Sequence, residues 1–105
     1  MSRKVTPETA MKKAIKDYLK YTGWFTFYNL NYGIGVYKGI SDLTAIKKGR
    51  VLFIEVKSKK GVQSKHQIDF ERDVKESGSH YILARSVDDI DKYIVDNFGE
   101  KSLLL

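Results

Sequence analysis

Hydrophobic residues recur at helical spacing in three segments of the chain. In residues 6–21 the apolar side chains fall at i, i+3, i+4, i+7 and i+8, and four lysines occupy other positions. This pattern is typical of an amphipathic helix that buries one face. A second helical pattern begins at Ser64 and stops before Gly78, and a third begins at Ser86. Ser and Gly are common helix start and stop residues, so we expect three amphipathic helices.

Four short apolar segments, residues 24–30, 41–47, 50–57 and 80–85, predict strands. The dipeptide Lys48-Gly49 separates the middle two, which suggests a hairpin with a two-residue turn. The segment 31–39 contains three glycines among apolar residues, and its pattern fits either a flexible hairpin or an irregular loop. The predicted element order is αβββαβα.

The length and composition predict one folded domain covering residues 1–105. A domain typically has about 150 residues, and 42% hydrophobic with 30% charged residues is ordinary for a globular protein. A chain of 105 residues has a small core, so association into a dimer would add stability.

The charge balance favours an anionic partner. Nineteen Lys and Arg against thirteen Asp and Glu give a net charge of +6, which suits nucleic acid, with a membrane surface as the weaker alternative. The absence of cysteine excludes disulfides, thiolate catalysis and cysteine-ligated metal sites. No apolar run is long enough to cross a membrane, and the N-terminus lacks a secretory signal pattern, so we expect an intracellular, cytoplasmic protein.

The predicted hairpin brings two carboxylates together. If Lys48-Gly49 forms the turn, the register that pairs Lys47 with Arg50 also places Asp42 opposite Glu55. Lys57 lies two residues further along, on the same face. Two adjacent carboxylates repel each other unless a cation lies between them, and Mg²⁺ or Mn²⁺ prefers such oxygen ligands. The alternative is a surface salt bridge between the two acids and the lysine.

These residues resemble a known family. Gly-Ile-Ser-Asp-Leu at 39–43, Phe-Ile-Glu-Val-Lys at 53–57 and Gln67 on the next helix form a D…E-x-K…Q pattern. The pattern is similar to that of the PD-(D/E)xK nucleases, and specifically of the VRR-NUC family. The resemblance implies a restriction-endonuclease-like α/β fold with an αβββαβ core, in which helices flank a central mixed sheet. Ser41 departs from the family, which usually has proline before the aspartate.

The resemblance also implies roles for individual residues. Asp42, Glu55 and the backbone carbonyl of Val56 would hold Mg²⁺ or Mn²⁺. Lys57 would be catalytic, and Gln67 would support the site.

For two residues the sequence allows either a role in the metal site or a purely structural role in their own helix. Glu8 continues the inward stripe of the first helix and resembles a glutamate that the family often places there, which makes it a possible catalytic residue and metal ligand. A first-turn acid is also favoured by the helix dipole. Gln67 completes a capping box with Ser64, yet its spacing to Phe70 and Val74 turns it inward, towards the site.

Several residues are candidates for DNA contacts. Lys59, Lys60 and Lys65 follow the E-x-K strand closely, where a phosphate backbone would pass the metal. Tyr37 and Lys38 belong to the polar-aromatic segment that leads into the aspartate, and could contact a branched or frayed strand. The alternatives are a solvated charge cluster for the lysines and strand packing for the tyrosine.

The combined expectation is a Mg²⁺- or Mn²⁺-dependent endodeoxyribonuclease. The resemblance implies selectivity for branched DNA such as Holliday junctions and a recombination role in a phage or prophage. We expect a homodimer, because two strands must be cut symmetrically. The alternatives are a nicking or restriction-type endonuclease acting on duplex DNA, and a non-catalytic DNA-binding module with the same fold.

Overall fold

The computed structural model describes residues 5–104 and contains three helices and four strands. Their order is αβββαβα, which confirms the order predicted from the sequence. The elements are α1 Pro7–Tyr21, β1 Phe25–Tyr28, β2 Leu43–Lys47, β3 Arg50–Val56, α2 Lys65–Glu76, β4 His80–Ala84 and α3 Val87–Phe98.

The four strands form one mixed sheet in the order β1-β2-β3-β4. The pairs β1–β2 and β2–β3 are antiparallel, and β3–β4 is parallel. Lys47 pairs with Arg50, so the predicted hairpin register is confirmed. The turn between them has positive φ angles at Lys48 (51°) and Gly49 (79°), as expected of the two-residue turns that match strand twist.

Hydroxyl side chains cap the N-terminus of each helix. Thr6, Ser64 and Ser86 accept hydrogen bonds from backbone N–H groups in the first turns of α1, α2 and α3. These contacts satisfy donors that a helix start leaves unpaired.

Helices cover the sheet on both faces. On one face, α1 and α3 bury Ile15, Leu19 and Ile90 against the apolar side chains of β2, β3 and β4. On the other face, α2 packs Phe70 and Val74 against β3 and β4. The flanked mixed sheet implied by the family resemblance is therefore present.

The connections at the two ends of β1 refine the predicted boundaries. Trp24 donates its backbone N–H to the Leu19 carbonyl at the end of α1, so Trp24 belongs to the helix–strand connection. Residues 31–39 form an irregular loop and not a hairpin. Strand β1 lies at the edge of the sheet, and its Phe25 and Phe27 rings pack on each other while remaining exposed.

The C-terminal segment folds back onto α3. Asp91 on α3 accepts hydrogen bonds from the Ser102 hydroxyl (2.5 Å) and the Leu103 N–H (3.1 Å). It also accepts one from the Tyr18 hydroxyl of α1 (2.5 Å). These bonds satisfy a buried carboxylate. No helix in the described part of the chain is long and apolar enough to cross a membrane.

Candidate metal centre

Asp42 and Glu55 meet at the end of the β2–β3 hairpin that lies away from the turn. Leu43 pairs with Ile54, and the same register extended by one residue places Asp42 beside Glu55. The two carboxyl groups lie close enough for each to shift the pKa of the other. The Val56 backbone N–H donates to Asp42 Oδ2 at 2.8 Å. The structure thus brings together the two carboxylates that hairpin register predicted.

The two carboxyl groups have opposite protonation preferences. Burial, followed by the hydrogen bond and the negative charge of Asp42, raises the pKa of Glu55 to about 9. Burial also acts to raise the pKa of Asp42. Hydrogen bonds from Glu55 and Val56 and the charge of Lys12 outweigh burial and hold that pKa below its usual value. The opposite directions of the two shifts favour one shared proton in the pair, held on Glu55.

One oxygen of this pair lacks a partner. Glu55 is only 2% exposed, and its Oε2 atom is buried without a hydrogen bond. Buried polar atoms are normally paired, so an unpaired carboxyl oxygen beside a second carboxylate is suited to a hard cation. Mg²⁺ is commonly held by one or two carboxylates together with water and phosphate oxygens. The donor set therefore fits Mg²⁺ or Mn²⁺.

The protein side chains available to such a metal are limited to this pair. Within residues 5–104, no group of three or more His, Asp or Glu side chains is close enough to hold a metal ion. Glu8 is half-buried on α1 and has no ion pair among the described residues. The roles of Glu8 and of the Val56 carbonyl as ligands stay predictions.

Lys12 is the site residue that the sequence pattern missed. Its Nζ lies 3.2 Å from Asp42 Oδ1, and the two side chains are 26% and 13% exposed. The helical pattern placed Lys12 among the polar positions of α1. Its spacing was nevertheless informative, because Lys12 lies four residues after Glu8 and so on the same side of the helix.

Lys57 follows directly after β3 and is half-buried. Its N–H donates to the Ala84 carbonyl (3.1 Å), which extends the pairing with β4 by one residue. Its positive charge acts to lower the pKa of Glu55. Within the described residues Lys57 has no ion pair, so the surface salt bridge considered as an alternative is absent: the cation that pairs with Asp42 is Lys12.

Gln67 lies at the edge of the same site. A cavity of about 440 Å³ between the 31–39 loop and the first turn of α2 is lined by both Asp42 and Gln67. Gln67 Oε1 accepts the Ser64 N–H at 2.9 Å, and the predicted capping box is complete. The capping interpretation is thus confirmed, and the same side chain also faces the cavity.

Gly39 fixes the position of the loop on this cavity. It has a φ of +82°, and a Cβ placed there would lie 2.1 Å from the His66 carbonyl oxygen. Only glycine allows this backbone geometry and this close approach. The loop is therefore pressed against the first turn of α2.

Asn29 and Ser41 hold the entry to β2. The Asn29 side-chain amide donates to the Ser41 carbonyl (3.0 Å), and its oxygen accepts from Thr44 (2.9 Å). Ser41 is buried and its hydroxyl donates to the Leu43 carbonyl (3.1 Å). Ser41, which departs from the family pattern, thus has hydrogen bonds that orient the chain directly before Asp42.

The predicted DNA-contacting lysines differ in whether they form ion pairs. Lys59 and Lys60 lie in an exposed turn after β3, and Lys38 is exposed in the loop. None of these three forms an ion pair within residues 5–104. Lys65 differs, because its ammonium pairs with Asp69 at 3.0 Å.

Tyr37 lines the cavity and also packs against α2. Its hydroxyl donates to Asp73 (3.2 Å), and its ring lies 5.6 Å from that of Phe70. Tyr37 and Lys38 both line the cavity next to Asp42. The ring packs on α2 and not on a strand, and it remains partly exposed.

Comparison with known proteins identifies the fold. No protein-family profile matches the sequence, and no curated protein matches it. A solved structure described as a "VRR_NUC domain" has a TM-score of 0.75 and 24% identity, covering 89% of this chain and 99% of that one. The chain has the VRR-NUC fold. A second structure, a "VRR_NUC domain protein", has a TM-score of 0.72 and 17% identity over 92% of each chain.

The VRR-NUC fold agrees with the resemblance drawn from the sequence motif. Asp42 and Glu55 meet across the hairpin, and Asp42 and Gln67 line the same cavity between the 31–39 loop and α2. The fold assignment is therefore confirmed, and the roles of the individual site residues stay predictions.

Proposed function

We propose that this protein is a DNA endonuclease that hydrolyses phosphodiester bonds with Mg²⁺ or Mn²⁺. The main support is the adjacent Asp42–Glu55 pair, in which one buried carboxyl oxygen has no partner. This pair lies beside a cavity in a protein with a net charge of +6. The similarity to VRR-NUC structures is consistent with this chemistry.

Each site residue has a separate role in this proposal. Asp42, Glu55 and the Val56 carbonyl would hold the metal, which would release the proton of the pair to solvent and would supply polarisation of the phosphodiester and activation of a water molecule. Lys57 positions that water or stabilises the negative charge that develops on the phosphate. Gln67 holds its place at the cavity edge through the capping bond to Ser64. Glu8 on α1 is not clustered with the pair within residues 5–104, and in this proposal its side chain would move to reach the metal.

DNA approaches over the cavity and the exposed turn after β3. Tyr37 and Lys38 line the cavity next to Asp42, and Tyr37 presents a partly exposed ring on which a base can stack. Lys59 and Lys60 are free of ion pairs within the described residues and can contact phosphates. Lys65 can join them only by giving up its pair with Asp69.

We further propose a symmetric homodimer that prefers branched DNA, with four-way junctions as the preferred substrate. Each chain offers one carboxylate pair, whereas resolving a junction requires two cuts related by symmetry. The exposed aromatic edge of β1 offers a surface for the second copy.

Matched DNA substrates test the proposal. Linear duplex, flap and four-way DNA of the same sequence are incubated with the protein in Mg²⁺, in Mn²⁺ and in EDTA. The expected result is metal-dependent cleavage, fastest on the four-way DNA. Equal cutting of linear duplex would favour a nicking or restriction-type endonuclease. Binding to all three substrates without cleavage under any metal condition would identify a non-catalytic DNA-binding module.

A further inference from the structure

The carboxylate pair has a cation of its own. Lys12 Nζ lies 3.2 Å from Asp42 Oδ1, and both side chains are largely shielded from solvent. The other oxygen of Asp42 accepts the Val56 N–H at 2.8 Å. The lysine therefore covers the carboxylate oxygen that the backbone leaves available.

The neighbouring lysines of α1 are engaged elsewhere. Lys13 pairs with Asp17 at 2.6 Å on the exposed side of the helix. The Lys16 ammonium lies 4.2 Å from the centre of the Tyr28 ring. Of the ion pairs formed by the described residues of α1, that of Lys12 is the one that reaches the site.

An ammonium group and a divalent metal compete for the same place. Both are attracted to Asp42, and two cations on one small carboxylate cluster repel each other. A metal that binds this pair must therefore weaken or break the Lys12–Asp42 contact. The lysine has a flexible stem of four carbons, so its ammonium can move while its backbone stays in α1.

DNA supplies a new partner for the displaced ammonium. A phosphate bound to a metal on this pair would bring negatively charged oxygens close to Asp42. We propose that Lys12 is the resident counter-cation of the Asp42–Glu55 pair, which competes with the divalent metal and transfers to a phosphate oxygen when metal and DNA are bound together. This inference rests on the proposed function, and it makes the binding of metal and DNA mutually favourable.

Titration of Mn²⁺ into DNA-free protein tests the competition. The variants are Lys12→Met, Lys12→Arg, which retains the charge, and the control Lys13→Met on the exposed side of α1. We expect Lys12→Met to bind Mn²⁺ about tenfold more tightly, a coupling of ordinary size. We expect Lys12→Arg and Lys13→Met to match the unmodified protein. Thermal melting verifies that each variant is folded.

Single-turnover cleavage at saturating Mn²⁺ tests the transfer to phosphate. We expect Lys12→Met to cut about tenfold or more slowly despite its tighter metal binding, and Lys12→Arg to restore most of the rate. If Lys12 only stabilised the fold, its removal would not raise the affinity of the protein for Mn²⁺.

The outcomes separate this inference from the proposed function. Unchanged or weaker Mn²⁺ binding by Lys12→Met would overturn the counter-cation role. Tighter binding with an unchanged cleavage rate would overturn the transfer to phosphate. If no variant binds Mn²⁺, the metal site itself is wrong. If Mn²⁺ binds and unmodified protein cuts no DNA, the proposed function fails while the competition measurement still stands.

Discussion

Val56 donates its backbone N–H to the Asp42 carboxylate at 2.8 Å, directly after Glu55 in the same strand. One strand thus supplies both the acid that shares a proton with Asp42 and the amide that orients it. A side-chain substitution at position 56 leaves that amide in place. The carboxylates are therefore the positions at which mutation tests the site.

Replacing either acid of the pair by its amide should abolish cleavage and preserve DNA binding. We expect Asp42→Asn or Glu55→Gln to slow cleavage by more than about 100-fold, since even residues that support metal ligands cost 10–100-fold. In the metal-free protein, DNA affinity should be unchanged in Glu55→Gln, which resembles the protonated acid, and unchanged or higher in Asp42→Asn, which removes a negative charge near the phosphate. Gel cleavage and fluorescence anisotropy measure the two effects.

The control for the carboxylate variants is Asp96→Asn, which removes an exposed acid paired with Lys92 on α3. It should cut at the normal rate. Metal-dependent cleavage that survives in either Asp42→Asn or Glu55→Gln would show that the assigned pair is not the metal site.

The metal-free protein should lose stability as pH rises from about 4.5 to 9. The pKa of Glu55 rises from 4.5 in the unfolded chain to about 9 in the fold. The native state therefore keeps a proton that the unfolded state releases. The contribution of this proton to the free energy of unfolding is complete below the Glu55 pKa of the unfolded chain. It is lost as the pH rises towards the Glu55 pKa of the folded protein, by at most about 1.4 kcal/mol per pH unit.

Urea unfolding in EDTA at pH 5, 7 and 9 measures this slope. Glu55→Gln resembles the protonated acid at every pH, so it should gain stability relative to the unmodified protein as pH increases. Parallel pH profiles for the two proteins would show that Glu55 does not hold the proton.

Lys57→Ala should lower turnover more than affinity. If Lys57 acts on the developing charge at the phosphate, its loss affects the transition state and not the bound ground state. We expect single-turnover cleavage to slow by about 100-fold, with DNA affinity nearly unchanged. Lys48→Ala, at the exposed hairpin turn, is the matched control. A loss confined to affinity would make Lys57 a phosphate anchor.

Replacing Lys59 and Lys60 by alanine should reduce the salt dependence of DNA binding. Each phosphate contact adds about 0.9 to the slope of log K against log salt, so the double variant should lower the slope by up to about 1.8. Mn²⁺ affinity should not change. The control pair is Lys48→Ala with Lys101→Ala. A slope that is the same in all three proteins would leave the 59–60 turn as a solvated loop.

Charging the exposed edge of the sheet should disrupt the proposed dimer. Phe25→Lys with Phe27→Lys places two cations on the exposed aromatic side of β1. We expect light scattering to report a monomer and cleavage of four-way DNA to fall. Ile34→Lys, in a fully exposed loop position, is the control. If the unmodified protein is itself a monomer that cuts linear DNA equally well, the dimeric resolvase proposal is wrong.

The sequence predicted those parts of the site that depend on local geometry. Asp42 and Glu55 are connected by a hairpin with a two-residue turn, so the register followed from counting residues back from Lys48-Gly49. Gln67 followed from helical spacing and a capping box. Both rules operate within a single supersecondary unit.

The contacts that the sequence did not reveal join separate elements. Lys12 reaches Asp42 from a helix 30 residues earlier in the chain, and helical periodicity classifies a lysine only as polar. The bonds of Asn29 to Ser41 and Thr44 depend on β1 and β2 lying side by side. Pattern analysis finds the faces of elements, whereas such bonds require the relative positions of the elements.

The turn at Lys48-Gly49 controls the carboxylate pair from the opposite end of the hairpin. Six residues at about 3.4 Å each place Lys48 about 20 Å from Asp42. Inserting one residue in this turn would shift the strand pairing, turn one strand's side chains to the other face and separate Asp42 from Glu55. A random-mutagenesis screen for inactive protein would therefore recover turn insertions alongside carboxylate substitutions. The two groups would share a phenotype although the turn touches no reacting group.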